Sequence, residues 1–250
     1  MARYKLTIEY CGEKFIGWQK QKIGYSVQGT IENALKKFLQ EDIDLIVAGR
    51  TDAGVHAESQ VAHLDIKKKI NIKNILLGLN FYLSKEKYGK HISIKRVNRV
   101  SVDFNARFSA KEKTYNYKIY NKEYRSPINT KNTWWVTKNL NIHNMKEASF
   151  YLLGKHDFSS FRASGCQASS PIKTINKIII KKNKNIISIN FVARSFLYNQ
   201  VRIMVGTLKD VGTGLLKPKC LKKIIEEKNR ASAGITAPAR GLTLIKISYK

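Results

Sequence analysis

The stretch "AGRTDAGVHA", residues 48–57, places an acid, a base and several small side chains next to one another. Asp52 follows Arg50 by two residues, and Gly54 permits a backbone turn that a Cβ would hinder. A carboxylate held on a rigid turn can act as a nucleophile or as a general base. Either task needs the ionised form, which a reference pKa of about 3.9 provides in water and a nearby guanidinium preserves where water is excluded.

The same residue types also have a purely structural interpretation. The Asp52 side chain would then stabilise a β-turn by bonding to nearby backbone, with Arg50 as a surface cation. These ten residues alone leave both interpretations open, so the choice depends on the elements that position the loop.

The first half of the chain shows the element order β-α-β-β-α-β. Alternating apolar and polar residues predict strands, while Ser26 and Asn71 are expected to cap two helices that carry apolar stripes. The Asp52 loop therefore falls between two predicted strands. The predicted strands cover residues 3–10, 43–48, 60–66 and 92–97.

The second half repeats this order loosely and completes an α+β fold. We expect two similar halves, with 1–104 carrying the Asp52 loop and 105–250 completing the active-site cleft. Their mixed or antiparallel sheets are expected to join edge to edge, with helices on one face and a basic cleft on the other. The predicted elements are strands at 113–121, 174–182, 185–193 and 242–248, and helices at 143–153, along 196–208 and after Pro218.

The net charge of +28, from 46 Lys and Arg against 18 Asp and Glu, predicts a polyanionic partner. Part of the excess is typical of an AT-rich genome, because Lys, Ile and Asn are all abundant. No basic amphipathic helix, apolar span of about 20 residues or signal peptide is evident, which favours a nucleic acid over a membrane and a cytoplasmic location.

The spacing of potential ligands favours neither a metal site nor a nucleotide cofactor. The three cysteines are far apart without a C-x-x-C pair, and the five histidines are scattered. A phosphate-binding G-x-x-x-x-G-K-[ST] loop is absent from the sequence. We therefore expect no cofactor and no metal.

Several segments, in chain order, resemble the tRNA pseudouridine synthase A family. The resemblance covers nearly the whole chain and implies isomerisation of uridine to pseudouridine at positions 38, 39 and 40 of the tRNA anticodon stem-loop. It also implies a homodimer in which one tRNA contacts both subunits, and it identifies the cleft as RNA-binding. The segments are "SVQ", "GRTDAGVHA", "VAHLD", "FNARFSAKEKTYNYKIYN", "GKHDFSSFRASG", "FLYNQVRIMVGTLKDVG" and "TAPARGLTLIKISY".

The resemblance also implies residue roles. Asp52 matches the catalytic aspartate, which adds to C6 of uracil, attacks C1′ or assists deprotonation at C2′, and the sequence leaves these three routes open. Tyr115 matches the tyrosine that stacks on the flipped-out base. Arg202 matches the cation placed against the carboxylate, Arg50 the arginine that enters the space left by the base, and Leu242 an apolar residue lining the uracil pocket.

Taken without the resemblance, these residues have other interpretations. Tyr115 is also typical of an ordinary strand aromatic, and Tyr117 shares its side-chain parity. Arg202 lies off the apolar stripe of its helix, where a solvent-facing arginine is equally expected. Arg50 would serve as a phosphate contact, and Leu242 as a core residue.

One departure from the family pattern and two rival functions remain. Gln200 stands where family helices usually carry an apolar residue, commonly Met, so we expect altered packing beside the site. The rivals are an RNA-binding protein of similar fold without catalysis, and a hydrolase that pairs Asp52 with Glu58 or Asp65.

The charge leads to the first prediction. If the basic residues contact phosphates, tRNA affinity should fall steeply with salt, because binding releases condensed counterions. For six to ten phosphate contacts we expect a loss of about 10³- to 10⁵-fold between about 50 and about 200 mM salt. Filter binding across a salt series measures the slope, and a flat dependence would contradict a phosphate-based interface.

Overall fold

The computed structural model describes residues 1–249 and divides them into two compact units. The first unit comprises residues 1–111 and the C-terminal residues from Leu244 onward, and the second comprises Glu112–Thr243. Five α-helices and ten strands over the described residues confirm the α+β class. The predicted division of function between 1–104 and 105–250 stays a prediction.

Strands and helices are interspersed along the chain. The strands are β1 (Ala2–Tyr10), β2 (Ile46–Val47), β3 (His56–Ile66), β4 (Ile92–Val100), β5 (Glu112–Asn121), β6 (Trp134–Val136), β7 (Gly154–Asp157), β8 (Ile172–Asn183), β9 (Ile186–Ala193) and β10 (Leu242–Ser248). The helices are α1 (Val27–Leu39), α2 (Ile72–Ser84), α3 (Ile142–Phe150), α4 (Gln200–Gly212) and α5 (Cys220–Glu227).

In the first unit, β1 lies between β3 and β4 and pairs antiparallel with both. Leu6 and Ile8 of β1 are fully buried, because alternate side chains of a strand point to one face. Ile31 of α1 and Ile75 of α2 are equally buried and contribute to the same apolar core. This packing fixes β1 and β3, and β3 directly follows the Asp52 loop.

Both predicted helix caps are confirmed in the first unit. The Ser26 hydroxyl accepts a hydrogen bond from the Gly29 N–H at 3.0 Å, and the Asn71 side chain accepts one from the Lys73 N–H at 2.8 Å. The strand predicted over 43–48 shortens to β2, because the Leu45 N–H donates to the Glu32 carboxylate at 3.1 Å instead of pairing with a strand. The strand predicted over 60–66 is longer than expected and begins at His56.

In the second unit, the predicted hairpin is confirmed as β8 and β9. β9 also pairs antiparallel with β5, and β7 adds to the far side of β8. The short strands β6 and β7 were not predicted, because three or four residues show too little periodicity to identify a strand. Helix α4 begins four residues after Phe196, and α5 begins two residues after Pro218.

No helix within residues 1–249 is long and apolar enough to cross a bilayer. Over the same residues, no group of three or more His, Cys, Asp or Glu side chains is placed to hold a metal ion.

A bidentate ion pair joins β1 to β3. Arg3 donates from Nε and Nη2 to the two carboxylate oxygens of Asp65, at 2.8 and 2.7 Å. Arg3 Nη1 donates to the main-chain oxygens of Val102 and Phe104. The bonds from Arg3 hold the pKa of the Asp65 carboxyl below its usual range, so this acid is committed to structure.

Asp65→Asn should lower the free energy of unfolding near pH 7 by about 1–2 kcal/mol, a value reduced for partial exposure of the pair. The folded-state pKa of Asp65 is lowered, so its contribution is present above about pH 4 and is lost as the pH falls through the folded pKa. Urea unfolding of the two proteins from pH 7 downward should therefore give stabilities that converge in acid.

Asp42→Asn is the matched control. Asp42 pairs with Lys36 at 3.0 Å, but the two side chains are 83% and 61% exposed. We expect a change below about 0.5 kcal/mol, because exposed ion pairs contribute little. Equal losses in the two variants would show that the Arg3 fork has no special stabilising role.

Candidate active site and RNA-binding residues

The Asp52 loop connects β2 to β3 and is tied to β3 at its start. The Ala48 N–H donates to the Val61 carbonyl at 2.9 Å, and Gln60 Nε2 donates to the Gly49 carbonyl at 2.9 Å. Gln60 is fully buried, so its side-chain bond is protected from water. The residues that lead into the loop therefore have a fixed course.

Tyr10, at the end of β1, holds the loop one residue before Asp52. Its hydroxyl lies 2.7 Å from the Thr51 hydroxyl and accepts a second bond from Gln60 Nε2 at 3.4 Å. Burial raises the pKa of Tyr10 to about 12, and the negative charge of Asp52 adds to this shift. Tyr10 therefore stays protonated at neutral pH and keeps its hydrogen for this network.

The segment 12–18 also contacts the Asp52 loop through its backbone. The Trp18 N–H donates to the Thr51 carbonyl at 3.0 Å, and the Gly54 N–H donates to the Phe15 carbonyl at 3.4 Å. A Cβ on Gly17, which has a φ of +115°, would lie 2.8 Å from the Thr51 oxygen. A Cβ on Gly12 would lie 2.1 Å from the Val55 oxygen, so both glycines are needed for this approach.

The turn itself is closed by main-chain groups. The Val55 N–H donates to the Asp52 carbonyl at 3.2 Å, and Gly54 has a φ of +76°. Asp52 is partly exposed as a residue and Arg50 is exposed. Hydrogen bonds therefore fix the backbone of the loop around Asp52, which is not fully buried.

In the second unit, β5 carries the two tyrosines that the sequence could not separate. The Tyr117 ring is fully buried, and its hydroxyl donates to the Pro238 carbonyl at 2.8 Å. Burial raises the pKa of Tyr117 far above its usual value. Tyr115 is 9% exposed and meets the Phe196 ring edge-on, with centroids 5.3 Å apart and an interplanar angle of 89°. Tyr117 is thus a core residue, which leaves Tyr115 as the candidate for base stacking.

Arg202 projects from α4 with its guanidinium held in place. Nε donates to the Ala237 carbonyl at 2.7 Å, and Nη1 donates to Asn199 Oδ1 at 2.7 Å. The segment around Ala237 packs tightly on the helix, since a Cβ on Gly206 would lie 1.8 Å from the Ile235 oxygen. The guanidinium is therefore pre-oriented by the protein before any substrate binds.

Two further predicted positions lie in the same unit. Leu242 begins β10 and is 5% exposed, as expected of a core residue or of a pocket wall. Gln200 is fully buried at the start of α4, and its Oε1 accepts a bond from the Leu197 N–H at 2.7 Å. The amide of Gln200 therefore secures the backbone next to Phe196.

Sequence reasoning missed the residues that immobilise the Asp52 loop, namely Tyr10, Gly12, Gly17, Trp18 and Gln60. The available signal was the spacing of two glycines in "CGEKFIGW", within a short connection between a strand and a helix. Glycines there indicate close backbone approach. The sequence does not say which backbone approaches.

Comparisons with known proteins identify the family of the chain. A sequence model of the family described as tRNA pseudouridine synthase matches residues 6–109 and 148–250. The chain belongs to this family. The matched ranges include Asp52, Arg50, Arg202 and Leu242, whereas Tyr115 lies between them.

Curated relatives extend the similarity to the full length of the chain. A protein named tRNA pseudouridine synthase A from Anaplasma phagocytophilum (strain HZ) is 49% identical over 249 residues, covering 99% of this chain and all of the relative. Proteins of the same name from Brucella ovis and Brucella melitensis biotype 2 are 43% identical over 249 residues, covering 100% of this chain and 98% of each relative. The protein is accordingly an isomerase that forms pseudouridine from uridine in tRNA.

Gly17→Ala should lower the rate of pseudouridine formation by at least about tenfold, because a displacement of about 1 Å in a catalytic group costs up to about 10²-fold. The new Cβ would push the Thr51–Ala53 backbone out of place. Single-turnover assays on an unmodified tRNA transcript measure the effect.

Gly214→Ala is the matched control for backbone strain. Gly214 also has a positive φ of +79°, but a Cβ there would meet nothing within 4 Å. We expect Gly214→Ala to lose about 1 kcal/mol of stability from backbone strain alone and to keep near-normal activity, whereas Gly17→Ala should lose more because its Cβ also meets the Thr51 backbone. Normal activity of the Gly17 variant would show that the loop tolerates displacement.

Proposed function

We propose that the protein converts uridine to pseudouridine at positions 38, 39 and 40 of the tRNA anticodon stem-loop, with Asp52 as the catalytic carboxylate. One observation carries the assignment of Asp52. Hydrogen bonds from three separate segments fix the backbone on both sides of this residue, while its side chain stays partly exposed. Rigid backbone under an accessible carboxylate suits a group that must meet a reacting atom.

The reaction breaks the N1–C1′ bond of uridine, turns the uracil and forms a C5–C1′ bond, with loss of the C5 proton and gain of a proton at N1. It is redox-neutral and requires the base to leave the stack. Asp52 serves by addition to C6, by attack at C1′ or by deprotonation at C2′. All three routes need an ionised carboxylate, so its pKa must stay below neutral pH.

Arg202 is proposed as the cation that keeps this carboxylate ionised after RNA has excluded water. The two acceptors that hold its guanidinium support this role, because a pre-oriented cation stabilises a charge without reorganisation. The Arg202 side chain would lose this advantage if it were free to rotate in solvent.

Tyr115, Leu242 and Arg50 are proposed to bind the flipped nucleotide. Tyr115 supplies an aromatic face for the uracil, and its ring is oriented by Phe196. Leu242 lines the base pocket, and Arg50 enters the space that the base leaves in the RNA. The exposure of Arg50 supports a role that begins only when RNA is present.

The proposed assembly is a cytoplasmic homodimer in which one tRNA contacts both subunits. Support comes from the net charge of +28 and from the resemblance of the chain to the family. The rival hydrolase is disfavoured, because the Arg3 fork occupies both carboxylate oxygens of Asp65. Membership of an enzyme family likewise disfavours an RNA-binding protein without catalysis.

Asp52→Asn should abolish pseudouridine formation while tRNA affinity stays within about tenfold of the wild type, because the amide keeps the shape and loses the charge. Unmodified tRNA transcripts are incubated with each protein, and pseudouridine is then mapped at nucleotide resolution. Modification by the wild type at positions other than 38–40 would overturn the positional assignment, and turnover by Asp52→Asn would overturn the role of Asp52.

Glu58→Gln is the matched control, since Glu58 is an exposed acid six residues away and the alternative partner in a hydrolase. We expect near-normal pseudouridine formation. Free uracil released by the wild type, and lost in both variants, would instead support hydrolysis.

A further inference from the structure

A partly exposed group of two tyrosines and a lysine lies in the first unit, outside the Asp52 loop. We call it the Tyr25 cluster, consisting of Tyr25, Lys87 and Tyr88. The Tyr25 and Tyr88 rings meet edge-on, with centroids 5.2 Å apart and an interplanar angle of 87°. Lys87 Nζ lies 5.0 Å from the Tyr25 centroid and 5.6 Å from the Tyr88 centroid. The lysine therefore holds both rings through cation–π contacts.

The Tyr25 ring is not part of the apolar core. Tyr25 is 44% exposed. The neighbouring Tyr88 ring packs edge-on against the Phe15 ring, with ring centroids 6.4 Å apart. A large aromatic side chain that is oriented by neighbours and still open to solvent is typical of a binding surface.

The charge of the connection between α2 and β4 suits an anionic partner. Lys85, Lys87 and Lys90 are all exposed there. The one acid among them, Glu86, is neutralised by an ion pair with Lys37 at 2.6 Å. Aromatic faces combined with lysines form the surface on which proteins stack unpaired bases and contact the neighbouring phosphates.

The Tyr25 cluster is joined by backbone to the segment that holds the Asp52 loop. The Ile16 N–H donates to the Tyr25 carbonyl at 2.9 Å, and the Val27 N–H donates to the Gly17 carbonyl at 3.1 Å. Gly17 in turn packs against the Thr51 carbonyl. Tyr25 is therefore connected to the proposed catalytic loop through two adjacent backbone segments.

We infer that the Tyr25 cluster is a stacking site for an unpaired base of the tRNA, distinct from the base that is isomerised. Tyr25 provides the stacking face, and Lys87 orients that ring before RNA arrives and lies ready for the adjoining phosphate. Placing this base in the anticodon loop rests on the proposed function. A stacked neighbour would hold the loop nucleotides open while the target uridine leaves the stack.

Affinity measurements on the full-length protein test the stacking role. Tyr25→Ala should raise the Kd for an unmodified tRNA transcript about tenfold, whereas Tyr25→Phe, which keeps the ring, should stay within about twofold. In steady-state assays Tyr25→Ala should raise KM by a larger factor than it lowers kcat. An unchanged Kd for Tyr25→Ala, or equal losses in the alanine and phenylalanine variants, would overturn the inference.

Phe81→Ala is the matched control in the same unit. Phe81 is 58% exposed, and Lys85 Nζ lies 5.4 Å from its ring centroid, so it resembles Tyr25 in chemistry. It lies instead within α2, whereas Tyr25 pairs through its carbonyl with Ile16 of the segment that holds the Asp52 loop. We expect the Kd of Phe81→Ala to match the wild type. A tenfold loss there would show that exposed aromatic–lysine pairs bind RNA non-specifically, and it would overturn a dedicated site at Tyr25.

Zero-length ultraviolet cross-linking separates this inference from the proposed function. Mass spectrometry of the cross-linked wild type should find Tyr25 attached to a nucleotide of the anticodon loop. If pseudouridine forms at 38–40 and no cross-link involves the Tyr25 cluster, the stacking site alone is refuted. If Tyr25 cross-links to tRNA while pseudouridine forms elsewhere, the stacking site stands and the proposed positions fail.

Discussion

The close approach of the 12–18 backbone to the Asp52 loop is the constraint on which the proposed chemistry depends. Thr51 is held at both ends, because its hydroxyl meets Tyr10 and its carbonyl accepts the Trp18 N–H. Gly12 and Gly17 permit this contact only because they lack a Cβ. The backbone of Asp52, the residue after Thr51, is therefore held in a defined position.

In the second unit, a helix residue is likewise held in a fixed orientation. Arg202 has no freedom at Nε or Nη1, because the segment around Ala237 and the Asn199 side chain accept from both. The chain thus separates two tasks. In the proposed function, a diffuse charge of +28 attracts the RNA, while a few groups with fixed orientation, Arg202 among them, would take part in the chemistry. A diffuse positive field also favours the ionised form of any carboxylate within it.

The segment between β1 and α1 connects these tasks. Its first part immobilises the Asp52 loop through Gly17 and Trp18, and its last part presents Tyr25 to solvent. Contact of RNA with Tyr25 would therefore be made on the same backbone that positions the proposed catalytic residue. Under this proposal, substrate binding at Tyr25 would be linked to the Asp52 loop by the covalent chain and by two main-chain hydrogen bonds, without rearrangement of the core.

The amino-acid sequence by itself determined the order of most strands and helices, because periodicity and the caps at Ser26 and Asn71 are local signals. It also indicated the family, because the segments around Asp52 and Arg202 resemble segments of that family. Only the tertiary structure separated Tyr115 from Tyr117, since the two side chains have the same parity on one strand. Tyr117 is the ring that bonds to the Pro238 carbonyl and packs against Gly241, where a Cβ would not fit. The partners of Thr51 and of the Arg202 guanidinium were likewise decided by tertiary contacts, because residues distant in sequence supply them.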